Sequence, residues 1–551
     1  MKKIISTLSI TAILLAVFVT SCNKKIDDAY ANPNADVRVP VETILPGLIS
    51  CMAGNGAGHG PLNDYRFIGK YVQNFAFCNT GGQYDQMGGT TGSSDNAASL
   101  WRIHYFDIGQ NCMNMIKWGQ EEEKWNYAGV GKAIFAYSWL ALTDYHGEVI
   151  LKESFNTGQL TFKYDTQEDV YNYVRQLCRE SIDLLNRTDG KSTATNLAVG
   201  DQYFYGGDVA KWKKFVYSIM ARSFHHLTNK ATYSADSVVK YCDLAINDNL
   251  DNAMVKFAGT SVSGTNNFWG PLRGNLGSTS IGTETAMRQS TFIANLMNGA
   301  GTFFTGVQDP RAWYILRGNT NGTIKGVDMN KGQTVIAAAD RCESFWGISQ
   351  NPSVSNTTPS NDANCRFIFR NAAPFPVVTA TEIAFIKAEA LYRKGDKPGA
   401  LAAYTDGISK HFDMLTTQFA TNVPAAKVIT PAMKAAYMAD PKVMPATAAA
   451  LSLSHIMLQK YIALWGYDVL ETWTDMRRYH YSDQETGTGR QVYVDFVKPS
   501  GGDLFINNNG KMVYRVRPRF NSEYVWNIEE LGRIGATALD YHTKEMWFSQ
   551  P

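Results

Sequence analysis

EIAFIKAEALYRKGDKPGALAAYTDGISKHF, residues 382–412, reads as two helices folded back on each other across a tight turn. Ala384, Ala388 and Leu391 recur at spacings of four and three, which places them on one face of the first helix. Gly395-Asp396-Lys397-Pro398 interrupts the run. Glycine suits a left-handed C-cap, and proline suits the first turn of the helix that follows. Ala400, Tyr404 and Gly407 repeat the spacing on the second helix, so small Ala388 and Ala400 allow close approach while Tyr404 fills the space beside them.

This small-residue and aromatic pattern resembles a tetratricopeptide repeat. One such hairpin cannot bury its apolar face alone and needs neighbours. The chain supplies candidates. Helical patterns run over Ser99–Trp118, Tyr127–Thr143, Thr166–Leu185, Val209–Thr228, Ser234–Ile246 and Ser452–Tyr479. Thr166 is placed to cap its helix with Asp169 three residues on, and Ser234 or Asp236 to cap the second arm of another hairpin. Between them, about 255–380, the chain is rich in Gly, Asn, Ser and Thr with scattered Trp and Phe. A segment that long without helical periodicity is functional or disordered, and its aromatics point to ordered loops. The expectation is a mainly α fold: a scaffold of helical hairpins with a long loop-rich insert forming the ligand face.

The totals exclude several classes. With 551 residues, 44% hydrophobic and 19% charged, the chain has ample material for a large core. The formal charge is +2, which Lys2 and Lys3 alone account for, so nothing favours nucleic acid or an anionic membrane face. Met1-Lys2-Lys3 and the mostly apolar run Ile4–Val19 form a leader ending in Val19-Thr20-Ser21-Cys22. The small residue before Cys22 resembles a lipoprotein signal, in which residues 1–21 are removed and Cys22 is lipidated. Residues 22–40 then form a short tether, and 41–551 a single domain. The other seven cysteines lie far apart without a CxxC, so a zinc site or disulfide framework is not expected.

Enzyme motifs are missing. There is no HExxH and no GxSxG, and AGVGKA around Lys132 lacks the upstream glycine and the Ser/Thr of a phosphate loop. His225 and His226 are adjacent and point to different sides of a helix, a poor metal pair. No metal or cofactor is expected.

Several segments together resemble the SusD/RagB family of nutrient-binding outer-membrane lipoproteins. They are the leader ending at Cys22, AYSWLALTDYHGEV (136–149), KWKKFVYSIMARSFHHL (211–227), QKYIALWGYDVLETWTDMRRY (459–479), RPRFNSEY (517–524) and the terminal Trp547-Phe548. The resemblance implies a tetratricopeptide-like α fold and a surface protein, lipid-anchored in the outer membrane. Such a protein captures oligosaccharide or peptide, without catalysis, for a SusC-like TonB-dependent transporter. Alternatives are a tetratricopeptide-type interaction scaffold and a surface glycoside hydrolase.

Sugar recognition needs flat apolar faces beside polar side chains. Within the insert, Phe268-Trp269 with Asn267, Arg273 and Asn275 offers both. Trp346, near Glu343, and Tyr84, between Gln83 and Asp85, are further candidates. Trp101, Trp139, Trp465 and Trp473 fall on helical faces and are assigned to the core.

Overall fold

Capping and periodicity explain most element boundaries in the computed structural model, which describes residues 38–54, 61–89, 97–276, 286–351, 358–518 and 520–551. The leader, Cys22 and most of the tether lie outside the described residues. Helices of ten or more residues are α1 (Val41–Cys51), α2 (Pro61–Tyr71), α3 (Gln110–Glu121), α4 (Trp125–His146), α5 (Gln167–Leu185), α6 (Val209–His225), α7 (Ala235–Leu244), α8 (Ala380–Lys394), α9 (Lys397–Gln418), α10 (Leu453–Leu464) and α11 (Val469–Arg478). The fold is mainly α. Among the described residues no helix is long and apolar enough to cross a membrane.

The opening hairpin is α8–α9. Gly395 takes the left-handed conformation at φ +90°, and the Asp396 side chain caps α9. Ala388, Ala400 and Tyr404 are fully buried between the helices. A Cβ on Gly407 would meet the Phe385 ring at 3.0 Å, so glycine is what lets the ring lie against this helix. Thr166 and Ser234 cap α5 and α7 through Asp169 N and Ser237 N. The pairs α4–α5, α6–α7 and α8–α9 stack in order, with α5 on α6 and α7 on α8, so each pair covers the apolar face that its neighbour exposes. The pattern over 452–479 does not form one helix. Gly466 breaks it at φ +84°, where its N–H donates to Asn74 Oδ1 at 2.9 Å.

The loop-rich region is tied down by two small antiparallel ladders. β2 (Ala253–Val255) pairs with β4 (Phe375–Val378), closing the base of the excursion between them. β1 (Phe75–Phe77) pairs with β3 (Met287–Gln289), joining the excursion to the N-terminal part of the chain. Cys51, Cys78, Cys112, Cys178, Cys242, Cys342 and Cys365 are buried thiols.

A buried ionic cluster fastens the helical pairs together. Arg222 on α6 donates to Glu382 on α8 at 2.6 Å and to Asp468 just before α11. Glu471 on α11 accepts from Lys460 on α10 at 2.9 Å and from His226 at 2.8 Å. Arg478 forms a two-pronged pair with Glu389 on α8, 2.9 Å on each side, and His225 completes Glu389 at 2.8 Å. Both histidines of the adjacent pair are therefore committed to carboxylates. Burial alone would raise the Glu471 carboxyl, but Lys460, His226 and Arg222 outweigh it and hold it well below the usual range. Asp468 goes the other way. Burial, with repulsion from Glu382 and Glu471, outweighs Arg222 and lifts it to about 8.

Burial disfavours the charged His226 ring, yet Glu471 and Asp144 overcome this and raise it to about 9. A group raised in this way stabilises the fold fully below its unfolded value, about 6.5, and loses that contribution as pH climbs through 9. The contribution is on the order of 3 kcal/mol for a shift of this size. The melting temperature of the protein is therefore expected to fall between pH 7 and pH 10, with a flatter profile for His226→Gln. Identical slopes in calorimetry would remove His226 from the cluster's charge balance.

Candidate functional site

The insert aromatics that the sequence nominates are part of the core. Trp269 is 0% exposed: Phe369 stacks on it with ring centres 5.1 Å apart, and Phe75 meets it edge-on at 5.5 Å. Phe345 stacks in turn on Phe369 at 4.3 Å, and Trp346 Nε1 donates to the Trp269 carbonyl at 2.8 Å. Phe268 is buried beneath the guanidinium groups of Arg66 and Arg273. The Asn267 side chain is spent on Ala373 O and Trp269 N. Tyr84 lies under Phe67 and Tyr71. The expectation that Trp269, Phe268, Asn267, Tyr84 and Trp346 form a ligand face is corrected: none has an open face, because Trp269 packs on β1 through Phe75, Asn267 and Trp346 tie the excursion to itself, and Tyr84 packs on α2. Arg273 and Asn275 keep partial exposure on the same turn, with Asn275 Nδ2 held by Phe268 O at 2.8 Å.

Open aromatic surface lies elsewhere. A cavity of about 460 Å³ is lined by Trp101, Arg102, Tyr105, Phe106, Ile150, Ser154, Phe155, Phe162, Ser522 and Glu523. That volume falls within the range of small-molecule sites. A smaller cleft of about 350 Å³ between Gln73, Asn295, Asp328 and Asp495 has Phe292 as its one aromatic ring, and so offers little to an apolar sugar face.

Three segments build the aromatic cavity. In the first, the turn Ser99–Arg102 passes into a π-helical stretch, Ile103–Gly109, before α3 begins. Spacing of four aligns Trp101 with Tyr105, ring centres 5.1 Å apart, and lays the Arg102 guanidinium over Phe106 at 5.4 Å. His104 turns inward to Ser138 Oγ at 2.7 Å, and burial lowers it to about 3, so it stays neutral. A Cβ on Gly109 would lie 2.8 Å from His104 O and closer still to the Phe155 ring. Only glycine closes this wide turn with Phe155 packed on it.

The second wall is the loop after α4, which begins at Gly147 with φ +83°. The Asp165 carboxylate gathers Leu151 N at 2.9 Å and Lys152 N at 2.8 Å. Tyr105 Oη donates to Ile150 O at 2.8 Å and accepts from Ile150 N at 3.0 Å. Phe155 is held at φ +62°, an uncommon conformation for a bulky residue and one that concentrates at functional sites.

The third wall is a second π-helical stretch, Phe520–Tyr524. The two π-helical turns among the described residues thus both line one cavity, and such turns recur at functional sites. Asn527 clamps this wall to the second: Phe162 N donates to its Oδ1 at 3.0 Å and its Nδ2 donates to Phe162 O at 2.8 Å. Glu523 accepts from Tyr164 Oη at 2.9 Å and Asn527 Nδ2 at 3.1 Å. Among the described residues it makes no ion pair, and burial raises its carboxyl. Among the described residues the site has flat rings, one guanidinium, one carboxyl raised by burial, and two serine hydroxyls.

The chain matches a family model described as starch-binding, associating with outer membrane (SusD-like), over residues 39–492. It belongs to the SusD-like family. Comparison with curated proteins returned no match. Among solved structures, a SusD/RagB family protein of Bacteroides thetaiotaomicron has a TM-score of 0.68 at 21% identity, covering 93% of this chain and 99% of that one. A chitin-binding protein has a TM-score of 0.66 at 19% identity, with 93% and 100% covered. A SusD homolog of Bacteroides fragilis gives 0.65 at 18%, with the same coverage. At these identities the likeness is one of fold. Two of the segments quoted above from sequence alone build central parts of the structure: 459–479 falls in α10–α11 with the ionic cluster, and 520–524 forms the third wall.

Sequence reasoning missed Glu523 and Phe106 as site residues and assigned Trp101 wholly to the core. Trp101 is indeed buried, and it also lines the cavity. Gly109→Ala is expected to push Phe155 off its seat and distort the cavity while the ionic cluster holds the helices. In a crystal structure of the variant the Phe155 ring should be displaced; an unmoved ring would show that the turn tolerates a Cβ.

Proposed function

We propose that this protein is a non-catalytic carbohydrate-binding lipoprotein of the outer-membrane surface that passes its ligand to a partner TonB-dependent transporter. The observation that carries this reading is the aromatic cavity with paired polar groups, in a chain whose family is described as starch-binding and associated with the outer membrane. Phe106, which is exposed, and the half-buried Phe155 supply faces for the C–H side of a pyranose, with buried Trp101 behind them, while Arg102 and Glu523 supply polar groups for its hydroxyls. A carboxyl raised by burial accepts or donates to a hydroxyl without demanding a counter-ion. The chitin-binding neighbour has the same fold and supports a saccharide ligand here.

The absence of catalysis is supported by the lining. Among the described residues it contains one carboxyl group, Glu523, whereas glycoside hydrolysis ordinarily uses a pair flanking the bond. The anchor rests on Cys22, outside the described residues, and the transporter on the family. Acyl chains would hold the protein to the membrane without spanning it.

Calorimetric titration of the full chain in detergent with malto- and chito-oligosaccharides is expected to show saturable binding to one series. Phe106→Ala, at an exposed ring, should weaken it about tenfold with an unchanged melting temperature. Polymers incubated with the protein should stay uncut. Heatless titrations across both series, or release of shortened products, would refute the reading.

A further inference from the structure

The second cleft, of about 350 Å³, lies between the turn before β1, the short helix Thr291–Asn298 and the chain from Asp495 to Asp503. Its aromatic ring, Phe292, is 5% exposed beneath Tyr461 and Phe496, whose ring centres are 4.9 and 5.5 Å away. No flat face is open to a sugar, so the chemistry of the cleft is set by its polar groups.

Gln73 is the most constrained of them. It lies at φ +53°, uncommon for a residue other than glycine and a conformation that concentrates at functional sites. Its backbone carbonyl accepts from Tyr461 Oη at 2.8 Å and from Ser290 Oγ, and its Nε2 donates to Val497 O at 2.7 Å. The residue is only 7% exposed and lines the cleft, yet its side-chain oxygen Oε1 has no partner among the described residues. A buried amide oxygen left without a donor is costly, so Gln73 calls for a donor that enters through the cleft.

The walls add acceptors and negative charge. Asp495, at φ +69°, accepts from Thr302 N at 2.6 Å and Thr302 Oγ1 at 2.5 Å. Asp503 accepts from Lys331 Nζ at 2.7 Å and Asn330 Nδ2 at 3.0 Å, which answers its charge. Asp328 and Lys498 also line the cleft, and neither side chain makes a hydrogen bond or ion pair among the described residues. Two carboxylates, Asp328 and Asp495, therefore stand against one ammonium, Lys498, a formal balance of minus one. Among the described residues no three acidic, cysteine or histidine side chains are grouped to hold a metal ion. The charge is spread over the opening, which suits a molecule and not a bare ion.

We propose that this cleft is a second binding site, separate from the aromatic cavity, for a small organic monocation bearing a primary ammonium group. The ammonium supplies N–H donors to Gln73 Oε1 and to the Asp328 and Asp495 carboxylates, and charge-assisted bonds of this kind are the strong ones. The volume admits a ligand of several heavy atoms behind the ammonium. The proposal does not depend on the carbohydrate reading of the aromatic cavity.

The test is calorimetric titration of the full chain with ethanolamine and aminobutanol, using butanediol and tetramethylammonium as controls. The two amines are expected to bind saturably and more weakly as salt is raised. Butanediol lacks the charge and tetramethylammonium lacks the N–H donors, so both should bind at least tenfold more weakly. Asp328→Asn, at an exposed side chain, should weaken the amines about tenfold with an unchanged melting temperature and unchanged titration by oligosaccharides. Asp495→Asn should weaken them as well. Silence toward both amines, or controls that bind as tightly, would overturn the site. Amine binding that Asp328→Asn and Asp495→Asn both leave intact would overturn it too, and so would a calcium ion that binds there in place of the amines. Loss of oligosaccharide binding alone would bear on the aromatic cavity and leave this proposal to be decided by the amine titrations.

Discussion

Arg222 is buried between three helical elements, and its guanidinium is shared by Glu382, Asp468 and the Val377 carbonyl. An isolated charge at this depth would be prohibitive, so each member of the cluster obliges the others to be present and correctly placed. Loss of one partner from such a buried pair typically costs about 3–5 kcal/mol, because it strands the charge left behind. The helices are fixed by that requirement as much as by their apolar faces: α6, α8, α10 and α11 meet where Arg222, Glu389, Lys460 and Glu471 meet.

The constraint reaches the cavity through α4. Asp144, near its end, lies 3.3 Å from His226 Nδ1, and its backbone carbonyl accepts from Arg477 Nη1 at 2.6 Å. Arg477 also donates to Tyr514 O at 2.8 Å, and Val516 N donates to Tyr145 O at 2.9 Å. Arg515 lies across Gly147, where a Cβ would meet its Nη1 at 2.7 Å, and donates to Tyr541, Lys544 O and Glu545 O. The turn that opens the second wall and the segment that becomes the third are thus set by one set of buried charges. In such folds loops commonly carry function while a rigid scaffold aims them.

Much of the scaffold was legible in the sequence because its signals are local. Gly395-Asp396, Thr166 and Ser234 act within a few residues, and spacing of three and four reports a buried helix face whatever it packs against. The family resemblance lay in residues that the fold reuses together, above all Trp473, Asp475, Arg477 and Arg478, which meet one another's neighbours in the ionic cluster and also distant groups such as Asp144 O and Thr228. The site was less legible for two physical reasons. Aromatics in a polar loop look alike whether they bind ligand or pin the loop, and Trp269, Trp346 and Tyr84 do the second. A helical period also assumes 3.6 residues per turn, whereas the π-helical stretch at 103–109 shifts Tyr105 and Phe106 toward the cavity. Glu523 joins the cavity wall only because Tyr164 is brought to it from a distant part of the chain.

The central claim is that this cavity, and not the buried aromatics of the insert, receives the ligand. The direct measurement is a crystal structure of the protein with a bound malto- or chito-oligosaccharide. The account predicts sugar density against Phe106 and Phe155, with hydroxyls within hydrogen-bonding distance of Arg102 and Glu523. Sugar density against the insert turn at Trp269–Asn275, with this cavity empty, would contradict it.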